Sequence, residues 1–250
     1  MLAAAPFGLA IGLTMGALGG GGAVLAVPIL VYVLGQDPHP ATTASLAVVA
    51  AGALGGGIGQ IDRDQVCWPQ VAVFAPVAVL GAIAGTLANE GVGGSALLIA
   101  FGVVMLAASV FMWRRADAPD NPDATCPPLR RARTAGAALA VGAATGFFGV
   151  GGGFLVVPML ALALRFPLRR AIGTSLVIVA FVSLVALLAH LARDADIDAA
   201  LTLAMAAGCA VGGFAGSRLG TRVPRATLGH AFSVLVALVA VYVLAAETTG

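Results

Sequence analysis

The chain has 250 residues, 60% of them hydrophobic and only 10% charged, and a formal net charge of +2. A water-soluble domain carries roughly a quarter charged residues, so this composition excludes a soluble globular protein and calls for lipid around the molecule. All 13 basic residues are arginines spread through the chain, which leaves no basic module for nucleic acid.

Leu2 to Leu18 is an apolar arm ending at a glycine cluster, Gly19 to Gly22, and Ala23 to Leu34 is a second, shorter arm. No basic segment precedes the first arm, so it reads as part of the membrane domain and not as a cleavable signal. Gln36-Asp37-Pro38-His39-Pro40 predicts a turn, since two prolines interrupt helical hydrogen bonding. Ala41 to Ile61 is long enough to cross a hydrocarbon core, and Asp62-Arg63-Asp64 ends it. Trp68 to Ala88 spans again, with Trp68 where an interfacial aromatic sits. Asn89 to Gly94 turns, and Ala96 to Trp113 is a further apolar stretch ending in Arg114-Arg115. Asp117 to Arg133 holds Pro119, Pro122, Pro127 and Pro128 and reads as a mobile linker. Thr134 to Leu164 then forms two more arms around Gly149 to Gly153, followed by a basic turn from Arg165 to Arg170. Spans over Ile172 to Leu191, Ala199 to Leu219 and Thr227 to Ala246 complete the chain, separated by turns at Ala192 to Asp198 and Gly220 to Arg225.

The second half repeats the first. A shift of 130 residues pairs Gly12 with Gly142, Gly19 with Gly149, Gly22 with Gly152, Pro28 with Pro158, Ser45-Leu46 with Ser175-Leu176 and Arg63-Asp64 with Arg193-Asp194. One extra residue then brings Gly81 and Gly85 onto Gly212 and Gly216, and Phe101 onto Phe232.

Arginine decides how the repeat is threaded. If each glycine-broken segment crosses the membrane once, seven arginines fall on the linker side and six opposite; if it is a hairpin, the division is twelve to one. Only the second satisfies the positive-inside rule. Each half then crosses an odd number of times, so the second is inserted upside down. The hairpin arms, about 12 to 16 residues or roughly 18 to 24 Å as helix, are short for a full span and read as re-entrant or tilted. The expected fold is an all-α polytopic membrane protein of two inverted-topology repeats, residues 1–116 and 134–250, joined by a cytoplasmic linker at 117–133. Each repeat is a glycine-broken helical hairpin plus three transmembrane helices, multi-pass in a cell (inner) membrane. Inverted repeats with broken helices at mid-membrane are the architecture of secondary transporters.

Unwound glycine backbone at membrane depth is tolerated only where protein or a water-filled cavity surrounds it, and helices restarting there aim N–H groups and positive dipole ends inward, which suits an anion. The candidate binding residues are therefore Gly19, Gly20, Gly21 and Gly22 with Gly149, Gly151, Gly152 and Gly153. Thr42, Thr43 and Ser45, and their counterparts Thr174 and Ser175, add hydroxyl donors near helix starts, or equally serve as caps and back-bonded residues. Glycines spaced four apart, as at Gly12/Gly16, Gly81/Gly85, Gly142/Gly146 and Gly212/Gly216, read as close helix contacts. His190 and His230 read as interfacial, and the arginine turns as topology markers. Cys67, Cys126 and Cys209 lack metal-ligand spacing and suggest neither a metal site nor a disulfide framework, so they read as inert fillers. No carboxylate falls at the expected midplane, which argues against an acidic proton relay. No nucleophile elbow, phosphate loop or metal cluster is present, so no enzyme, metal or cofactor is expected.

The duplicated pattern G-x-x-x-G-x-x-G-x-G-G…V-P-x-L, followed by A-x-x-T/A-S-L, resembles the TauE/SafE family of membrane permeases over Gly12 to Leu46 and Gly142 to Leu176. The first copy departs at Ala44, where the second has Thr174, and at Ala23, where the second has Gly153. The resemblance implies transport of sulfite or a small organosulfonate, typically outward. With the architecture, it gives a secondary transporter of a small anion working by alternating access, its partners being that anion and the lipid bilayer. Uptake of another small oxyanion and a passive anion channel are the alternatives, and homo-oligomerisation stays open.

Overall fold

The computed structural model describes residues 4–36, 38–89, 94–116, 125–148, 153–191 and 198–249. Every regular element among these is helical. The first half comprises α1 (Ala4–Leu18), a 3-10 segment (Gly19–Leu25), α2 (Ala26–Pro28), a π-turn (Ile29–Val33), α3 (Pro38–Ile61), α4 (Trp68–Asn89) and α5 (Gly94–Ala116). The second comprises α6 (Arg131–Phe148), α7 (Gly153–Pro158), a π-turn (Met159–Ala163), α8 (Leu168–Leu191), α9 (Ala199–Gly220) and α10 (Arg225–Thr249). Among the described residues six apolar helical stretches, at 4–31, 40–61, 68–85, 168–189, 199–220 and 226–245, are long enough to cross a membrane.

The first of those stretches is not a straight rod. In one continuous helix Gly22 would stand about 10 Å along the axis from Met15. Instead a Cβ on Gly22 would fall 2.6 Å from both Thr14 Oγ1 and the Met15 backbone nitrogen. The chain therefore doubles back at Gly19. The orientation of α3 agrees: Gly56 faces Gly16, and Gly52 lies against Met15, so α1 and α3 run in the same direction with the 3-10 segment, α2 and the π-turn returning between them.

Small residues set the helix contacts. A methyl group on Gly8, Gly12 or Gly16 of α1 would strike the backbone of Met205, Cys209 or Gly213 in α9, which makes α1 and α9 parallel and backbone-close. The same relation recurs between α6 and α4, the repeat mates of α1 and α9. Gly142 and Gly146 of α6 sit against the backbone of Ala78 and Ala82 in α4, and Gly81 and Gly85 of α4 against that of Leu139 and Ala143. The glycines spaced four apart are thus contact residues, where a missing Cβ lets backbones approach.

Two pairs of repeat mates pack antiparallel. Gly56, near the end of α3, meets Leu176 near the start of α8, and the Gln65 carbonyl beyond α3 abuts Gly173. Gly102 of α5 meets Leu244 of α10, while Ala116 at the other end of α5 meets Gly229. Between them Ser233 presents its carbonyl to the Ser109 hydroxyl at 2.9 Å. Phe74, Phe154, Phe166 and Phe232 fill the interior, and Leu80, Leu203, Leu238 and Val241 stand exposed on the outer face, as lipid contact requires.

Three expectations are corrected. Cys67 and Cys126 are not inert fillers: they form a disulfide, Cα to Cα 5.8 Å. Cys209 is a buried free thiol and does pack as a filler, beneath Gly52. The linker is not loose throughout, since that disulfide and a bond from Gln70 Nε2 to the Pro127 carbonyl (2.5 Å) tie it to the start of α4. Finally, α3 begins at Pro38, inside the expected turn. Proline fits the first turn of a helix, where the N–H has no partner to lose.

Candidate functional site

The break at Gly19 is built by the backbone. Leu18 closes α1 at φ −106°, ψ 0°, and Gly19 follows at φ +78°, the left-handed conformation that favours glycine at a helix end. Four glycines in succession disfavour α-helix by about 1 kcal/mol each, and the chain winds instead into the tighter 3-10 segment, with no side-chain cap. Gly19, Gly20, Gly21 and Gly22 are all buried.

The exit from the break is drawn twice in the same way. Pro28 and Pro158 are each followed by a five-residue π-turn. These end at Leu34 (φ −98°, ψ −2°) and Leu164 (φ −100°, ψ −1°). The next residues, Gly35 and Arg165, both take positive φ, 66° and 56°. The backbone path is a property of the repeat and is kept even where the second copy carries arginine.

The first break meets the start of α7. A Cβ on Gly20 would lie on the backbone of Gly153, and one on Gly153 would stand 2.9 Å from the Gly20 carbonyl oxygen and 3.3 Å from Ala23 Cβ. Ala23 and Gly153 are themselves repeat mates. Ser175 joins them, its Oγ 2.8 Å from where a Gly19 Cβ would be. Gly149, Gly151 and Gly152 lie outside the described residues.

The hydroxyls are buried but engaged. Ser45 and Ser175 donate to the carbonyls three residues back, Thr42 at 2.7 Å and Ile172 at 2.8 Å. Each must rotate off its own helix before it can donate to a ligand. Thr174 accepts the Cys67 amide at 3.1 Å, which places it against the start of α4. Thr43 is buried and Thr42 half-buried near the start of α3. The structure therefore brings Gly19, Gly20, Gly153 and Ser175 together and gives Thr174 a separate neighbour. Among the described residues the buried polar side chains are all neutral, so backbone, hydroxyl and amide dipoles supply the polarity of this interior.

The sequence matches the family model described as Sulfite exporter TauE/SafE over residues 4–243. The chain belongs to the sulfite exporter TauE/SafE family. A probable membrane transporter protein of Xylella fastidiosa (strain 9a5c) is 37% identical over 238 residues, covering 94% of this chain and 91% of the relative. The probable membrane transporter protein YunE of Bacillus subtilis (strain 168) is 25% identical over 258 residues, 93% of each. No solved structure matches the chain. As a TauE/SafE member with six apolar membrane-length stretches, it is a multi-pass membrane transporter.

Two features of this TauE/SafE chain escape motif reading. Phe232 lies over Gly21, and its repeat mate Phe101 packs edge-on to Phe154, one residue past Gly153, with ring centroids 5.4 Å apart. One ring thus lies over the first break and its repeat mate packs at the start of α7, and the signal was the Phe101/Phe232 match within the repeat. The second feature is at the helix ends. Arg63 donates to the Ser217 carbonyl (3.0 Å), and Arg169 to the carbonyls of Thr221 and Val223 (both 3.1 Å), so these arginines knit α3, α8 and α9 together. His230 sits near the start of α10 with its ring 4.3 Å from that of Trp113, while the side chain of His190 lies outside the described residues.

Proposed function

We propose that the protein is a secondary transporter that exports sulfite or a small organosulfonate across the cell (inner) membrane by alternating access. The observation that carries this reading is the meeting of Gly20, in the first break, with Gly153, at the start of α7 in the second half, backbone to backbone in a neutral interior. Backbone N–H groups at a helix start favour a small anion, and glycine leaves that backbone open to approach. The glycines of both breaks, including Gly149, Gly151 and Gly152, form the binding centre with Ser45, Ser175, Thr42, Thr43 and Thr174. The halves are read as inverted repeats, supported by the antiparallel packing of α3 with α8 and of α5 with α10. Residues 117–133 then lie in the cytoplasm with the arginine-rich helix ends, and a rocking of one half on the other would turn the centre from face to face.

Counterflow in proteoliposomes tests it. Internal unlabelled sulfite or methanesulfonate is expected to accelerate entry of the labelled anion, with saturation. Flux without trans-stimulation would mean a channel, and no flux would sink the reading. Gly20→Ala puts a methyl group into the Gly153 backbone, and transport should fall to background while the protein still folds into the membrane. Ser175→Ala removes one hydroxyl donor of about 1 kcal/mol, so affinity should weaken several-fold.

A further inference from the structure

Arg63, just past the end of α3, lines two adjoining cavities. The inner one, about 50 Å³, is bounded by Gln60, Gln65, Arg169, Ala17 and Ile172. The outer one, about 270 Å³, is bounded by Asp62, Arg218 and Arg222, and Thr221 borders both. The floor of the inner cavity is the back of the glycine turn. Ala17 precedes Gly19 by two residues, Ile172 Cα lies 3.4 Å from where a Gly19 Cβ would stand, and the Ile172 carbonyl holds the Ser175 hydroxyl.

The charge around the outer cavity is unbalanced, with three arginines against the single carboxylate of Asp62. The Arg218 guanidinium sits over the Phe214 ring, 4.2 Å to its centroid, a cation–π contact that holds the charge beside the cavity. The repeat does not demand these charges. Under the shift that relates the halves, Arg169, Arg218 and Arg222 correspond to His39, Leu87 and Gly91. A positive-inside bias accounts for arginine at this face, but not for convergence on a cavity that ends at the candidate binding centre.

We propose that the two cavities are a capture vestibule for a sulfonate or sulfite oxyanion, held by Arg63, Arg169, Arg218 and Arg222 before it passes to the glycine turn. The identity of the anion rests on the transporter reading above. The guanidinium fork matches the oxygens of such a group, and a cleft lined by one sign of charge concentrates its ligand in a salt-dependent way. The phosphate of an anionic lipid headgroup offers the same chemistry, so the test separates the two.

Purified wild-type protein in neutral detergent is treated with phenylglyoxal, with and without millimolar methanesulfonate, and arginine adducts are mapped by peptide mass. Methanesulfonate is expected to protect Arg218 and Arg222 but not Arg130 or Arg131. No protection overturns the proposal. In neutral phosphatidylcholine proteoliposomes at low salt, Arg218→Gln/Arg222→Gln should raise the KM for sulfite roughly tenfold with little change in maximal rate, and added salt should erase the difference. Arg130→Gln/Arg131→Gln should leave KM unchanged. An unchanged KM in the vestibule variant, or an equal rise in the control, overturns capture in favour of general surface charge. An effect confined to vesicles containing phosphatidylglycerol overturns it in favour of a lipid headgroup site. Protection in a wild-type protein that moves no sulfite would leave the vestibule standing and bring down the transporter reading instead.

Discussion

Gly35 and Arg165 occupy the same place in the two copies of the repeat, at φ 66° and 56°, and they respond oppositely to substitution. A left-handed conformation costs a residue with a Cβ about 1–2 kcal/mol and costs glycine nothing comparable. Arg165→Gly removes that strain but gives the unfolded chain more freedom, so a net gain of up to about 1 kcal/mol is expected. Gly35→Ala introduces the strain without a collision, because nothing lies within 4 Å of where its Cβ would be, and a loss of about 1 kcal/mol is expected. Thermal unfolding of both variants in detergent measures this. A loss in Arg165→Gly would show that the arginine side chain holds contacts worth more than the strain of its backbone. The glycine at Gly19 differs from Gly35 in having Val157 and Ser175 directly against it, so there a side chain would meet both the wrong φ and occupied space.

At the scale of the helices, the parallel pairs α1/α9 and α4/α6 are sealed by glycine, and this can be tested without touching the breaks. Gly85 lies against the backbone of Ala143 and Gly216 against that of Leu13. Backbone atoms cannot swing aside as a flexible side chain can, so a single methyl group must move a whole helix. Gly85→Ala and Gly216→Ala should each lower stability by about 1–3 kcal/mol, with the choice among competing anions unchanged. Stable variants with altered anion preference would instead place these glycines in the transport path. The contacts were legible because a spacing of four puts glycines on one helix face. The disulfide was not legible: Cys67 and Cys126 are separated by 59 residues, and only the return of the linker to the start of α4 brings them together. Nor was the fate of the hydroxyls, since Ser45 and Ser175 look identical in sequence whether they face a ligand or bond back to Thr42 and Ile172.

For the whole molecule, the question is which face the helix ends carrying Arg63, Arg169, Arg218 and Arg222 present. The repeat and the hairpin at Gly19 could be read from sequence because duplication and arginine counting are properties of the whole chain. In the orientation proposed above, the positive-inside rule puts this face in the cytoplasm. The Cys67–Cys126 bond lies on the same side, since Cys67 contacts Thr174 near the start of α8 and Arg170 approaches both the Asp64 carbonyl and Cys126 Sγ. Cytoplasmic thiol buffers keep such pairs reduced, so orientation and thiol state must agree. In intact cells the Cys67–Cys126 bond that the structure shows closed is therefore expected to be open, and to close with a mild oxidant after lysis, as read by alkylation before and after reduction. In a background with all three cysteines replaced, a single cysteine at Ala3 should react with an impermeant maleimide from outside, and one at Ala124 only after the membrane is opened. Labelling of both from one side would contradict the doubling back at Gly19. Labelling of Ala124 alone from outside, together with a disulfide already formed in the cell, would turn the molecule over and make the arginine vestibule an entrance for uptake.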